Sequence, residues 1–299
     1  SAAALKGVGL MRLDPECASC LVKRQIENFP ADAPDGRKLG YMRELLRTVA
    51  DGSERLSAPE IMCGIYDLQE SFFGMKQDYT EIKRYFNGLM MGFEQELLAS
   101  ALGAADPLKA AVQYAMTGNY IDFAAVEKVD EEKLRAMLKS AGDIEIDAAA
   151  LGGLRGELKD AARLAYLTDN CGEIVMDKLL ISVIRELFPA LDITVIVRGE
   201  PTVNDATMED ARQTGLDGLV RVIGNGSAVA GTCLGLISRE AADIIDAADV
   251  VISKGQGNFE TLRGCGRNIY YIFMCKCAMF AGCFGVPLYS GMLVNERRI

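Results

Sequence analysis

The 299-residue sequence contains no histidine. This absence excludes a Ser/His/Asp triad, a Cys/His dyad, His-ligated zinc and a His general base. Acid–base work falls to carboxylates, lysines, cysteines, tyrosines or metal-bound water, and any metal is held by oxygen or sulfur. A basic stripe is also missing. No run of Lys or Arg exceeds two, and 42 acidic against 32 basic side chains leave a formal charge of -10, which disfavours a nucleic-acid partner. There is no low-complexity tract, and 50% hydrophobic with 25% charged residues describe a globular chain long enough for one or two domains. Ser1 to Ala4 lack a basic region and a long apolar run, and the segment 1–10 is expected to be disordered or vector-derived. Nine scattered cysteines, an odd count, read as reduced thiols and a cytoplasmic location. From Cys277 to Val294 no charge occurs, but Gly282, Gly285, Pro287 and Gly291 interrupt the run, so a buried strand, turn and second strand are expected there rather than a membrane span.

The two halves differ in periodicity. Over 11–155, apolar residues recur at helical spacing, as in Tyr41, Leu45, Leu46 and Val49 or Leu89, Phe93, Leu97 and Leu98. Pro30 with Pro34, Asp51-Gly52, Pro59 and Asp106-Pro107 punctuate this helical region, and the acidic run from Glu127 to Lys133 reads as a solvated helix face. Over 156–299, short apolar runs alternate with amphipathic stretches. This predicts strands at Arg163–Thr168, Ile193–Val197, Leu219–Ile223, Asp249–Ile252 and Ile269–Met274. The fold class that follows is α/β, a doubly wound, mostly parallel sheet in three αβα layers with a helical N-terminal region. Such a sheet places ligands beyond the carboxyl ends of its strands.

Polar residues stand at those ends. Thr168-Asp169-Asn170-Cys171-Gly172-Glu173 follows the first strand, Arg198-Gly199-Glu200-Pro201-Thr202-Val203-Asn204-Asp205 the second, and Ser253-Lys254-Gly255-Gln256-Gly257-Asn258 the fourth. Asp169, Asn170 and Asp205 can supply oxygen ligands to Mg²⁺ or Mn²⁺. Lys254 with Gly255 and Gly257 can bring an ammonium and backbone N–H groups to a phosphoryl oxygen, and the helix opened at Gly172 favours an anion. The same residues also suit plainer roles, Asp169-Asn170 and Asp205 as helix caps and Lys-Gly-x-Gly as a turn. Their convergence on one sheet edge favours metal-assisted phosphoryl chemistry.

The segments Tyr166 to Val175, Val197 to Ala211 and Ser253 to Thr261 resemble those of the damage-control phosphatase family, formerly domain of unknown function eighty-nine. Cys17-Ala-Ser-Cys20 with Lys23-Arg24-Gln25, and Asp106-Pro107-Leu108 leading to Gly118-Asn119-Tyr120-Ile121-Asp122, resemble its archaeal and bacterial Cys-x-x-Cys branch. The resemblance runs from Cys17 to about Pro287. It implies a phosphatase of small phosphorylated metabolites, damaged ones included, dependent on Mg²⁺, Mn²⁺, Co²⁺ or Ni²⁺. Asp169, Asn170 and Asp205 match the family's metal ligands, and Lys254 and Asn119 match residues lining its phosphate site. Gly255, Gly257 and Arg198 are expected to bind substrate, and Glu173 to orient a ligand or water. The attacking group is expected to be metal-bound water rather than Asp169, because Asn170 and Cys171 stand where an Asp-x-Asp arrangement would be.

Cys17 and Cys20 have the spacing of a zinc or redox pair, with Cys275 and Cys277 the comparable pair; the plainer reading is reduced, packed thiols. Cys171 reads as a small filler. Gly224-Asn225-Gly226 with Gly231 imitates a dinucleotide fingerprint, but the last glycine comes two places late and Ser253-Lys254 stands where an acid is required. The alternatives to a phosphatase are a non-catalytic phosphometabolite-binding protein or a methyltransferase. The expected partner is a small-molecule phosphate ester, with no nucleic acid and no membrane, and exposed helical faces leave room for a homo-oligomer.

Overall fold

Prolines and caps cut the first half into helices. The computed structural model describes residues 12–75, 78–120 and 131–299. Helices α1 (Pro15–Glu27), α2 (Asp35–Gly52), α3 (Ala58–Phe73), α4 (Thr80–Leu102), α5 (Pro107–Tyr120), α6 (Glu131–Lys139) and α7 (Ala148–Asp160) precede the sheet. Pro15 and Pro59 sit in first turns, where a missing N–H costs nothing, and Ser57 with Glu60 forms a capping box on α3. The segment 1–10, Ile121 and Asp122 of the Gly118 motif, and the acidic run up to residue 130 lie outside the described residues.

The second half runs β1 (Arg163–Leu167), α8 (Glu173–Leu187), β2 (Asp192–Val197), α9 (Met208–Thr214), β3 (Arg221–Gly224), α10 (Arg239–Ala247), β4 (Val250–Lys254), α11 (Gln256–Leu262), β5 (Ile269–Met274), α12 (Ala278–Phe284) and β6 (Gly291–Asn295). The strand order is β3-β2-β1-β4-β5-β6, parallel except for β6, which pairs antiparallel with β5. Alternation divides the sheet between two cores. Leu164, Tyr166, Val250, Ile252, Tyr270 and Ile272 pack with α4 to α9, whereas Ala165, Leu167, Val251, Ile269, Tyr271 and Phe273 pack with α10 to α12. Helices α1 to α3 carry a separate core around Tyr41, Leu45, Ile61 and Ile65.

The expected strand, turn and strand over 277–294 is a helix followed by a strand. Residues Ala278 to Phe284 contain no β-branched side chain, and Gly285, at φ 66°, closes the helix α12 in the left-handed conformation. The third strand begins at Arg221 rather than Leu219, because Leu219 and Val220 both hydrogen-bond back to the Leu216 carbonyl in a turn. No helix among the described residues is long and apolar enough to cross a membrane.

Candidate active site

The strand order reverses between β1 and β4, which opens the crevice where doubly wound sheets bind ligands. Asp169 follows β1, Gly255 follows β4, and the loop after β2 folds back so that Asn170 and Asp205 form a β-bridge. Two further backbone bonds tie the loops, Ala206 N–H to the Asp169 carbonyl (2.7 Å) and Cys171 N–H to the Asn204 carbonyl (2.8 Å). Asp169, Asn170 and Asp205 are thereby held together by the main chain. Gly255 has φ 79°, and a Cβ built on it would overlap the Asp169 carboxylate, so this glycine makes room for the acid.

Arg198 lies beside the two acids, fully buried. Its Nε donates to Asp205 Oδ2 (2.6 Å) and its Nη1 to Thr232 Oγ1 (3.4 Å), while Nη2 lies 3.7 Å from Asp169 Oδ1 and has no hydrogen-bond partner among the described residues. Burial pushes the Asp169 carboxyl well above the ordinary range, and the charges of Glu173 and Asp205 push it further, against the pull of Arg198. Asp205 is raised by burial as well, opposed by Arg198 and Lys83. Acids that repel one another, Asp205 buried and Asp169 partly so, beside an amide, suit a hard divalent cation, whose charge would offset that repulsion. No three His, Cys, Asp or Glu side chains among the described residues form a ready metal cage, so the set depends on the Asn170 amide. The Nδ2 of that amide donates to Asp169 Oδ2 (2.7 Å) and Glu173 Oε2 (3.1 Å); turned over, the amide presents Oδ1 instead.

Asn119 enters from α5. Its Nδ2 donates to Asp169 Oδ2 (3.1 Å) and Glu173 Oε2 (2.9 Å), and its Oδ1 accepts from Met274 N–H (2.9 Å). Lys254 points between α5 and α8, where its ammonium is bonded by the Ala115 carbonyl, Glu173 and Asp177. Gly257 lies against the Ala230 carbonyl, with no space for a Cβ. The imitation fingerprint has a packing role. Gly226 approaches Gly199 too closely for any side chain there, and the Asn225 Oδ1 accepts from Gly199 N–H (2.8 Å) and Ser227 N–H (2.9 Å).

Residues 13–292 match the family model described as the damage-control phosphatase ARMT1-like domain. The chain belongs to the damage-control phosphatase family. It is 39% identical over 190 residues to a damage-control phosphatase of Pyrococcus horikoshii, covering 62% of this chain and 64% of that one. A damage-control phosphatase of Archaeoglobus fulgidus is 28% identical over 284 residues (92% of this chain, 96% of the other). A crystal structure of a DUF89 family protein from P. horikoshii superposes with a TM-score of 0.78 at 29% identity, covering 96% of this chain and 99% of that chain. The resemblance carried by the three strand-end segments is therefore borne out, and so is the α/β fold.

Three residues of this damage-control phosphatase family member escaped sequence reasoning. Asp177 lies within the buried apolar stripe of α8, yet it is four residues from Glu173, a spacing that puts both on one helix face. Lys83 of α4 donates to the Asp205 carbonyl (2.7 Å) and pairs with Asp210 (2.7 Å), clamping the loop from the helical side. Asn87, also on α4, accepts from Gly172 N–H (2.7 Å) at the head of α8. No local motif marks the two α4 residues, because their partners lie more than 80 residues away in sequence.

Among the cysteines, Cys20 is exposed, and Cys171 is buried with its thiol pushed up by burial, consistent with an inert filler. The Cys17 thiol is pushed up to about 12, first by burial and then by Glu260 and Cys277, so at neutral pH it is protonated. Glu260 on α11 is itself raised to about 7 by burial. A raised carboxyl favours the folded state fully below its unfolded pKa, and the benefit is lost as pH rises through the folded value. Glu260→Gln is therefore expected to leave stability unchanged near pH 4 and to raise it above pH 7 by about 1–2 kcal/mol, discounted for the part of the side chain that reaches solvent. Urea unfolding at the two pH values measures this, and an equal change at both would refute it.

Proposed function

We propose that the chain is a metal-dependent phosphomonoesterase. It hydrolyses phosphate esters of small metabolites such as sugar phosphates, nucleotides or phosphopantetheine-like compounds, including damaged ones. The observation that carries this reading is the convergence of Asp169, Asn170, Asp205 and the free N–H of buried Arg198 at the reversal of strand order. The names of the P. horikoshii and A. fulgidus relatives support it. Asp169, Asp205 and the turned Asn170 amide would hold the divalent ion, Mg²⁺, Mn²⁺, Co²⁺ or Ni²⁺. Such an ion, when bound, polarises the phosphoryl group and lowers the pKa of water.

The protein's own groups do the rest. Arg198 offers Nη2 to a phosphoryl oxygen, where a donor fixed in advance stabilises growing charge. Glu173, fixed by Lys254 and by the Asn119 amide, holds the Asp169 carboxylate in place through the shared Nδ2 of Asn119. In this reading Lys254, wholly buried with its three N–H groups committed to the Ala115 carbonyl, Glu173 and Asp177, acts through Glu173 rather than on the phosphoryl oxygens themselves. Water is the attacking group in this reading, since Asp169 has no second Asp two residues on. A cavity of ≈ 290 Å³ beside the 201–207 loop is walled by Tyr66, Tyr79, Lys83, Thr202 and Asp210, on the far side of that loop from Asp169, Asn170 and Arg198, none of which lines it.

The test is phosphate release from sugar phosphates, nucleotides and phosphopantetheine by chelator-stripped protein, with each metal restored singly. Metal-dependent release is expected. Silence across the panel, with metal bound and esters retained intact, would replace the phosphatase by a binding protein.

A further inference from the structure

An ammonium has three N–H donors, and Lys254, wholly buried, commits all of them. They go to the Ala115 carbonyl (3.0 Å), Glu173 Oε1 (2.6 Å) and Asp177 Oδ1 (2.6 Å). Glu173 and Asp177 share one face of α8, so both carboxylates meet the strand end that carries Lys254. Behind Asp177, the Tyr166 hydroxyl of β1 donates to the same Oδ1 (2.8 Å), while Asp177 Oδ2 is buried with no hydrogen-bond partner among the described residues. On the other side, Glu173 Oε2 accepts from Asn119, and Asn119 also donates to Asp169. Because Met274 N–H donates to the Asn119 Oδ1, that amide has only one orientation available. An unbroken chain of contacts therefore runs from Tyr166 through Asp177, Lys254, Glu173 and Asn119 to Asp169.

Stability alone does not account for this arrangement. Two carboxylates on one ammonium leave a net negative charge in the interior, and the bare Oδ2 forgoes its hydration without a substitute. Well-packed apolar residues would serve a core at least as well. What the pair does supply is a fixed place for the ammonium, since charged hydrogen bonds are short and directional.

We propose that Asp177, itself held by Tyr166, is a positioning residue for phosphoryl transfer. It holds the Lys254 ammonium against Glu173, and through Glu173 and Asn119 it fixes the Asp169 carboxylate. The proposal rests on the phosphatase reading above.

Asp177→Asn, Tyr166→Phe and the double variant, assayed on the best ester at saturating Mn²⁺, test it. In Asp177→Asn, kcat at saturating metal is expected to fall on the order of tenfold or more, with KM for the ester within about twofold of wild type. Tyr166→Phe loses less, and the double variant is no worse than Asp177→Asn alone, because both changes act through one contact. A folded Asp177→Asn with wild-type kcat, or losses that multiply in the double variant, would overturn the proposal. Should Asp177→Asn fail to fold, Tyr166→Phe decides, since it keeps the ring and the charge: reduced kcat at unchanged KM supports positioning, and wild-type kcat sinks it. If wild-type protein hydrolyses no ester, the phosphatase reading fails by itself. Positioning is then read from ¹⁵N-lysine NMR with Tyr166→Phe. A Lys254 ammonium that exchanges slowly in wild type and faster in the variant supports it, and equal exchange in both overturns it.

Discussion

Replacing Asp169 by asparagine is expected to abolish metal-dependent phosphate release, by about a thousandfold or more, while leaving the metal-free protein at least as stable as wild type. The two effects share one cause. Asp169 is a largely enclosed acid whose carboxyl is raised by desolvation and by the charges of Glu173 and Asp205, so its ionised form is disfavoured, and a bound cation would reverse this. An asparagine can still accept from Asn119 and Asn170, which both donate to Oδ2, and it carries no charge for Glu173 and Asp205 to repel. The sign against pH follows. A raised acid contributes stability fully below the ordinary aspartate pKa, and the contribution is lost as pH rises through the folded value. Metal-free wild type should therefore lose stability between acid and neutral pH more steeply than Asp169→Asn does. Adding Mn²⁺ should raise the wild-type Tm and leave the variant unmoved. Scanning calorimetry of both proteins, with and without metal, checks all three statements. A variant that is markedly less stable than wild type without metal would show that Asp169 is a structural cap rather than a ligand.

The residues that make this prediction possible were legible to different degrees. The strand end at Thr168-Asp169-Asn170 shows in sequence because an apolar run stops abruptly at polar residues, and β5 was delimited correctly for the same reason. The uncharged run after Cys277 gave no such signal. Absence of charge marks burial, not periodicity, and only the lack of β-branched residues before Gly285 separates helix from strand there. Strand order is carried by contacts between β1 and β4, far apart in the chain, and this order turns separate motifs into one site. Lys254 shows the limit most clearly. Its place at the end of β4 is visible in the sequence, but its two carboxylate partners come from α8, one of them within an apolar stripe that reads as plain core. Lys83 and Asn87 reach the same loops from α4, and nothing in their local sequence distinguishes them from a solvated helix face.

Gly255→Ala is expected to damage the site as severely as the loss of a ligand, though it removes no functional group. A Cβ at this position would overlap the Asp169 carboxylate, and φ 79° is a region where a side chain costs about 1–2 kcal/mol even in open space. Neither partner is free to yield. Asp169 is held by Asn119 and Asn170 and by the bond from Ala206 N–H to its carbonyl, while Gly255 N–H donates to the Ile272 carbonyl at 3.1 Å. The carboxylate is the part that moves, since shifting the turn would break the β4–β5 ladder. A displacement near 1 Å at the reacting centre is worth about a hundredfold in rate, so kcat/KM should fall by at least about that factor, with stability down by roughly 2–3 kcal/mol. Gly266→Ala separates strain from overlap. Gly266 has φ 75° but nothing within 4 Å of an added Cβ, so its alanine variant should lose about 1 kcal/mol of stability and keep wild-type activity. Equal activity losses in the two variants would trace the effect to general destabilisation. Loss confined to Gly255→Ala would show that the space beside Asp169 is what phosphate release depends on.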